Sequence, residues 1–194
     1  NKIFILGGGS NILISDEGFD GLVIKMVIKG LDFKNEGDCT ILSVGAGESW
    51  DFVVEQAVER NLGGIENLSL IPGTAGAAVY QNIGAYGVEL KDVFESAEVL
   101  NAQSGEIKTF SNKDCGFSYR DSFFKTNKDR NLIILKVNLK LSKNQESKIS
   151  YPDLIKIFES KKPSIAETRN VVIETRKRKL PYPEEFGNAG SFFK

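Results

Sequence analysis

The stretch Ile71–Gly87, IPGTAGAAVYQNIGAYG, limits this chain more than any other segment. Glycine and alanine recur in it with neither a helical nor a strand period. Leu68–Gly87 therefore reads as an extended loop with at most a turn of helix, and so long a loop inside a domain is usually functional. Gly73, Gly76, Ala77 and Ala78 strip bulk from a continuous run of backbone. Gln81 and Asn82 can bond a ring edge, and Tyr86 can stack or cap. Such a segment would hold a flat, diphosphate-linked cofactor without a helix N-terminus. A glycine-rich loop with a purely structural role is the competing reading.

Regular elements flank this loop. Lys2–Leu6, Ile12–Ser15, Leu22–Ile28 and Thr40–Val44 read as strands, with a turn at Gly18–Gly21. Ser49–Asn61 is the first helix: Ser49 can cap it, and Trp50, Val53, Val54, Ala57 and Val58 form an apolar stripe. Gly63-Gly64 should end it. Val93–Leu100, Ile107–Phe110 and Leu132–Leu141 read as antiparallel strands, the first two joined by a turn at Ala102–Gly105. Tyr151–Phe158 is a short helix. Ser164–Lys179 is a long one, with Ser164 and Glu167 as a capping box and a basic last turn suited to the helix dipole. Pro181 and Pro183 stop it.

Composition excludes several classes of function. With 194 residues, 41% of them hydrophobic, the chain can bury a core in one large domain or two small ones. A net charge of −1 gives no basic excess for nucleic acid. The absence of histidine removes histidine-based triads and most zinc sites, so no metal site is expected. Cys39 and Cys115 are too few for a disulfide framework and read as small reduced core residues. No apolar run reaches the roughly 18 residues that span a bilayer. Asn1 is not an initiator methionine and no signal peptide follows, so the start reads as the middle of a strand–loop unit.

Four shorter motifs carry possible chemistry. Gly7, Gly8 and Gly9 can turn backbone N–H groups toward one anion, with Ser10 and Asn11 adding side-chain donors. A tight inter-strand turn is the plainer reading, and the dinucleotide fingerprint is absent because a strand is expected to follow. SYRDSFFK at Ser118–Lys125 sets Tyr119, Arg120 and Asp121 in a row. An arginine fork suits a carboxylate or a developing enolate, although a surface Arg120–Asp121 contact would explain the same residues. Ser191, in GNAGSFFK, has no neighbouring base, so it suits proton donation to a carbanion rather than acyl transfer. The run Arg176–Lys179 is a solvated helix end or a source of one arginine for a cofactor phosphate.

Six motifs occur in a telling order: GGGSN at Gly7–Asn11, VGAGESW at Val44–Trp50, GIENLSLIPGTAGAAVYQNIGAYGVEL at Gly64–Leu90, FSYRDSFFK at Phe117–Lys125, KLPYP at Lys179–Pro183 and GNAGSFFK at Gly187–Lys194. In that order the chain resembles the MurB family of UDP-N-acetylenolpyruvoylglucosamine reductases, truncated at both ends. The resemblance implies an α+β fold: a FAD-binding domain of the vanillyl-alcohol-oxidase (PCMH) type, plus the beginning of a substrate-binding domain. Residues 1–28 would end the first FAD-binding subdomain, 29–180 would form the second, and 181–194 would start the substrate domain. FAD, held non-covalently, would contact Gly7, Gly8, Gly9, Ser10, Asn11, Ile71, Pro72, Gly73, Thr74, Gly76, Ala77, Ala78, Asn82, Ile83, Gly84, Tyr86, Gly87 and Arg176. Arg120 and Ser191 would be catalytic, with Tyr151, Tyr119 and Lys194 binding substrate.

The activity implied is reduction of UDP-N-acetylglucosamine enolpyruvate to UDP-N-acetylmuramate with NADPH as hydride donor, by a cytoplasmic monomer without nucleic-acid or membrane partners. The family's substrate domain runs well past Lys194 and ends in a catalytic glutamate that this chain lacks, so the piece alone is expected to be inactive. Val79-Tyr80 reads like the family class without a tyrosine loop, whereas Tyr151 and Ile83 point to the class with one. A flavin-dependent alcohol or sugar oxidase of the same fold, or a FAD-binding module without turnover, are the alternatives. The first would leave GNAGSFFK and SYRDSFFK without a role.

Overall fold

The computed structural model describes residues 2–127, 131–159 and 161–180. Two sheets organise them. β1 (Ile3–Leu6) and β2 (Leu22–Lys25) pair in parallel, Ile3 opposite Leu22. The larger sheet holds β3 (Leu31–Glu36), β4 (Cys39–Gly45), β7 (Phe94–Asn101), β8 (Ile107–Ser111) and β9 (Leu132–Ser142) in the order β3-β4-β9-β7-β8, antiparallel throughout. A two-residue pair, β5 (Gly84–Ala85) and β6 (Val88–Glu89), falls between β4 and β7 in sequence.

The core forms where strand alternation meets a helical stripe. Leu42, Val44, Val137, Leu139 and Leu141 turn one face of the sheet inward and are fully buried. Helix α1 (Trp50–Glu59) lays Trp50, Val53, Val54 and Ala57 into the same core. The Trp50 indole finds its partner in the Leu68 carbonyl at 3.0 Å, which lets a large polar-tipped ring sit wholly inside. Ser49 occupies the position before α1 but makes no side-chain cap. The helix stops at Glu59, before the glycines: Asn61 takes the left-handed conformation (φ 55°) and Leu62 N–H bonds the Ala57 carbonyl.

Three expectations need correction. Ile12–Ser15 is not a strand; no ladder reaches it, and Leu13 is 94% exposed. β2 ends at Lys25 rather than Ile28, because the chain leaves β1 there and passes along Gly45-Ala46-Gly47 instead. Gly47 N–H bonds the Ile28 carbonyl and Gly45 N–H bonds the Gly30 carbonyl, each at 2.9 Å. The glycine-rich segment holds a six-residue helix, α2 (Ala75–Tyr80), preceded by the turn Glu66–Leu68. Its small residues suit close packing: a Cβ on Gly76 would come within 2.9 Å of the Ala46 Cβ. Strand β3 and the short helix α3 (Phe123–Thr126) went unanticipated, although Leu31 and Phe33 do alternate with polar residues.

Two helices close the described chain, α4 (Pro152–Phe158) and α5 (Ile165–Lys179). The capping box is present: Glu167 N–H donates to Ser164 Oγ at 3.2 Å, and Ser164 N–H donates to Glu167 at 2.7 Å. Among the described residues, no helix is long and apolar enough to cross a membrane, and no metal-ligand cluster occurs. Both cysteines are free thiols; Cys115 is buried in the core, whereas Cys39 is half-buried at the start of β4.

Candidate functional site

The loop after β1 and the segment entering α2 face each other across a cavity of about 660 Å³. Gly7, Gly8, Gly9, Ser10 and Asn11 form one wall; Pro72, Gly73, Thr74, Gly76, Ala77 and Ala78 form the other, with Ile83 beyond. The two backbones lie so close that side chains would separate them. A Cβ on Gly7 would stand 2.9 Å from Thr74 Oγ1, and one on Gly8 3.1 Å from the Gly73 Cα. Asn11 Nδ2 donates to Gln81 Oε1 at 2.7 Å, tying the loop to the end of α2.

The lining matches the chemistry of a large flavin nucleotide. Ile3, Ile5, Trp50, Ile83 and Ile134 supply apolar wall, and among the described residues Lys125 is the one charged residue of the lining, with no carboxylate. The Thr74 hydroxyl is buried without a partner among the described residues, a donor left over at the glycine-lined end. A ring system with a diphosphate would meet apolar surface, small residues and a spare donor there. The lining includes residues that the motifs did not single out: Met26, Tyr80, Phe124, Asn127 and Leu132. They come from separate elements, and only the sheet and α3 gather them.

A second cavity, of about 420 Å³, takes the rest of the strip: Gly84, Tyr86 and Gly87 line it with Glu89, Lys91, Lys148, Tyr119 and Arg120. Arg120 sits at the corner of a tight turn with φ 54°. Its ends close on each other, Ser118 N–H to the Asp121 carbonyl at 3.1 Å and Asp121 N–H to the Ser118 carbonyl at 3.2 Å. The guanidinium points back at the strip: a Cβ on Gly84 would lie 3.3 Å from its Nη1. Tyr119 is 65% exposed beside it, with its ring 5.7 Å from the Arg120 Cζ.

Tyr86 links this cavity to α4 and α5. Tyr151 meets it edge-on, with ring centroids 5.0 Å apart, and Lys179 Nζ stands 5.8 Å over the Tyr151 ring while paired with Asp153. Burial pushes the Tyr86 phenol up, against the pull of Arg176 and Lys179. Arg176 is the least comfortable cation of the group. Burial lowers its pKa, Tyr86 and Asp51 oppose that, Arg120 adds to it, and its Nε has no partner among the described residues. Two cations of α5, Arg176 and Lys179, therefore flank Tyr86 and Tyr151, with Arg120 near enough to disfavour the charge on Arg176, a field suited to an anion.

Several candidates fall elsewhere than the motifs implied. Arg176 lies beside Tyr86, not on the glycine-lined cavity. Ile71 packs against the core. Asn82 is fully buried, and its carboxamide bonds protein groups at both ends, which leaves nothing for a ring edge. Ser191 and Lys194 are outside the described residues. VGAGESW, read as a motif of the family, has a packing role here: a Cβ on Gly47 would lie 2.8 Å from three backbone atoms of residues 26–28.

Comparison with known proteins gives the chain a family and relatives along its length. A family model described as FAD binding domain matches residues 1–111. UDP-N-acetylenolpyruvoylglucosamine reductase of Amoebophilus asiaticus is 50% identical over 193 residues, covering 97% of this chain and 57% of that protein. The protein of the same name from Pseudomonas aeruginosa is 43% identical, covering 99% of this chain and 57% of that one. The crystal structure of UDP-N-acetylenolpyruvylglucosamine reductase from Thermus caldophilus superposes with a TM-score of 0.67 at 28% identity, over 90% of this chain and 56% of that one. A solvent-stable cholesterol oxidase shares the fold at a TM-score of 0.51 and 14% identity. The chain thus spans a little over half the length of the curated relatives it matches.

Proposed function

The chain belongs to the FAD binding domain family, and from that premise we propose that it is part of an NADPH-dependent reductase. The substrate proposed is the enolpyruvyl ether of UDP-N-acetylglucosamine, and the product UDP-N-acetylmuramate. The observation that carries this reading is Arg120 at the end of the glycine strip. The strip that lines the cofactor cavity runs on into the second cavity, where the guanidinium faces the Gly84 backbone. A cofactor ring at the junction would have the arginine as its neighbour.

FAD, when bound, supplies two-electron hydride chemistry. The chain's own residues supply position and field. Gly7–Asn11 and Pro72–Ala78 would hold the diphosphate and exclude bulk from it. The net reaction adds a hydride equivalent and a proton across the enol-ether double bond. Negative charge develops toward the substrate carboxylate as the hydride adds to the vinyl CH2, and Arg120 would hold that carboxylate and stabilise the charge. Ser191 would give its proton to the adjacent carbon. Tyr151, Tyr119 and Lys194 would contact the rest of the substrate, with Arg176 and Lys179 adding positive field. The two sheets are read as parts of the two FAD-binding subdomains, and residues 181–194 as the entry to a substrate domain. A cytoplasmic monomer fits this chemistry.

The test is the visible spectrum of the full-length protein under anaerobic conditions. NADPH should bleach the flavin, and the enolpyruvyl substrate should then restore the oxidised spectrum. A flavin that bleaches but recovers only in air would sink the reductase reading and favour an oxidase.

A further inference from the structure

We infer that Asn82 is a positioning residue for Arg120, its buried carboxamide holding the turn that carries the guanidinium. The inference rests on the reading of Arg120 given above.

The Arg120 turn closes on itself through Ser118 and Asp121, and Lys125 Nζ donates to the Arg120 carbonyl at 2.9 Å, but these bonds lie at the surface. Ser118 and Tyr119 are exposed, and Arg120 itself is only half-buried at a left-handed φ of 54°. Conformations of that kind persist when surrounding structure over-determines them. Asn82 supplies one buried constraint: its Nδ2 donates to the Ser118 carbonyl at 2.9 Å, across 36 residues of chain. Its Oδ1 accepts from Lys91 N–H at 3.1 Å, and its own N–H bonds the Val79 carbonyl at 3.2 Å. One residue thus joins the end of α2, through its backbone, to the exit of the Gly84–Glu89 hairpin and the Arg120 turn, through its side chain. Ser122 makes the second anchor, donating from Oγ to the Tyr80 carbonyl at 2.5 Å.

Both anchors end on the last turn of α2, and α2 walls the cofactor cavity. The distance between that cavity and the guanidinium is therefore set through Asn82. Its residue type suits the place. The backbone there is left-handed (φ 43°), which asparagine tolerates better than most residues. Donor and acceptor are also needed at once, which a carboxylate cannot provide. Asn82 lines neither cavity, so it would act through Arg120 and not by touching a ligand.

The test uses the full-length, FAD-loaded protein and two ligands that differ by a carboxylate-bearing ether: UDP-N-acetylmuramate and UDP-N-acetylglucosamine. Calorimetry on Asn82→Asp should show binding of the muramate weakened about tenfold, the scale of one misplaced charged hydrogen bond. Binding of the glucosamine should change less than about twofold, and flavin reduction by NADPH should be similarly spared. Asn82→Gly keeps the left-handed backbone and should reproduce the pattern if the aspartate variant does not fold. Arg120→Ala serves as reference. If it discriminates between the ligands and both Asn82 variants weaken them equally or not at all, the inference is overturned and Arg120 keeps its role. If Arg120→Ala does not discriminate, the reading of Arg120 falls and the inference with it.

Discussion

Arg169 of α5 grips Asp51 of α1 with both terminal guanidinium nitrogens, Nη1 to Oδ1 at 2.8 Å and Nη2 to Oδ2 at 3.2 Å. The same arginine donates to Ser69 Oγ at 2.9 Å, and Asp51 also accepts from Leu70 N–H at 2.6 Å. One ion pair therefore joins two helices to the chain that leads into the glycine strip. Arg169 is 8% exposed, so the pair is costly to break from either side.

The pair has a pH signature. Burial pushes the Asp51 carboxyl up, but Arg169 and the Leu70 N–H pull it down by more, so it lies below the ordinary aspartate value. Its stabilisation is complete above the unfolded value and is lost as pH falls through the lower folded one. Asp51→Asn should cost about 2 kcal/mol at neutral pH, discounted for the part of Asp51 that meets solvent. In urea unfolding the gap from the parent should narrow below about pH 3.8, the unfolded value. A gap of constant size would assign the loss to packing rather than charge.

Gly8→Ala should weaken FAD binding without unfolding the chain. The added methyl would meet the Gly73 Cα at 3.1 Å and push two cavity walls apart. Overpacking of this kind costs about 1–3 kcal/mol, read as a roughly tenfold or greater rise in the Kd for FAD by flavin fluorescence. Unchanged affinity would mean the two loops do not clasp the cofactor.

Gly47→Ala should act on stability instead. Its methyl would stand 2.8 Å from Ile28 N, the Met26 carbonyl oxygen and Val27 C, all backbone that cannot rotate away. A loss of about 2 kcal/mol in denaturant unfolding is expected, with FAD affinity in the folded fraction little altered. A variant as stable as the parent would show that this crossing is loose.

Thiol chemistry should separate the two cysteines. Burial, helped by Asp114, pushes the Cys115 thiol up to about 12, so thiolate is scarce at pH 8 and access is blocked. A maleimide should label Cys39, which is half-buried on β4, well before Cys115, and Cys115 only on unfolding. Equal labelling in the native protein would contradict the packing around Cys115.

Local signals were legible wherever a residue's neighbours in sequence are also its neighbours in space. The capping box at Ser164, the apolar stripe of α1 and the turn at Ala102–Gly105 between β7 and β8 are of this kind. Strand β3 carried such a signal in Leu31 and Phe33 and was missed because the segment is short and mostly exposed. Helix α2 carried none. Its small residues mimic a loop, and it is helical because Gly76 can pack against Ala46, a contact across 30 residues.

The same division holds for the site. Motif order alone pointed to the family, and to the facing glycine loops as a cofactor cradle, because close backbone approach demands residues without side chains. Tertiary structure alone decided that the strip divides between two cavities, that Arg176 joins Tyr86, and that Asn82 serves the Arg120 turn. Each depends on partners dozens of residues apart, as does Arg169 on Asp51 across 118. Such contacts form only after the sheet and helices have closed the intervening chain, so no local pattern records them.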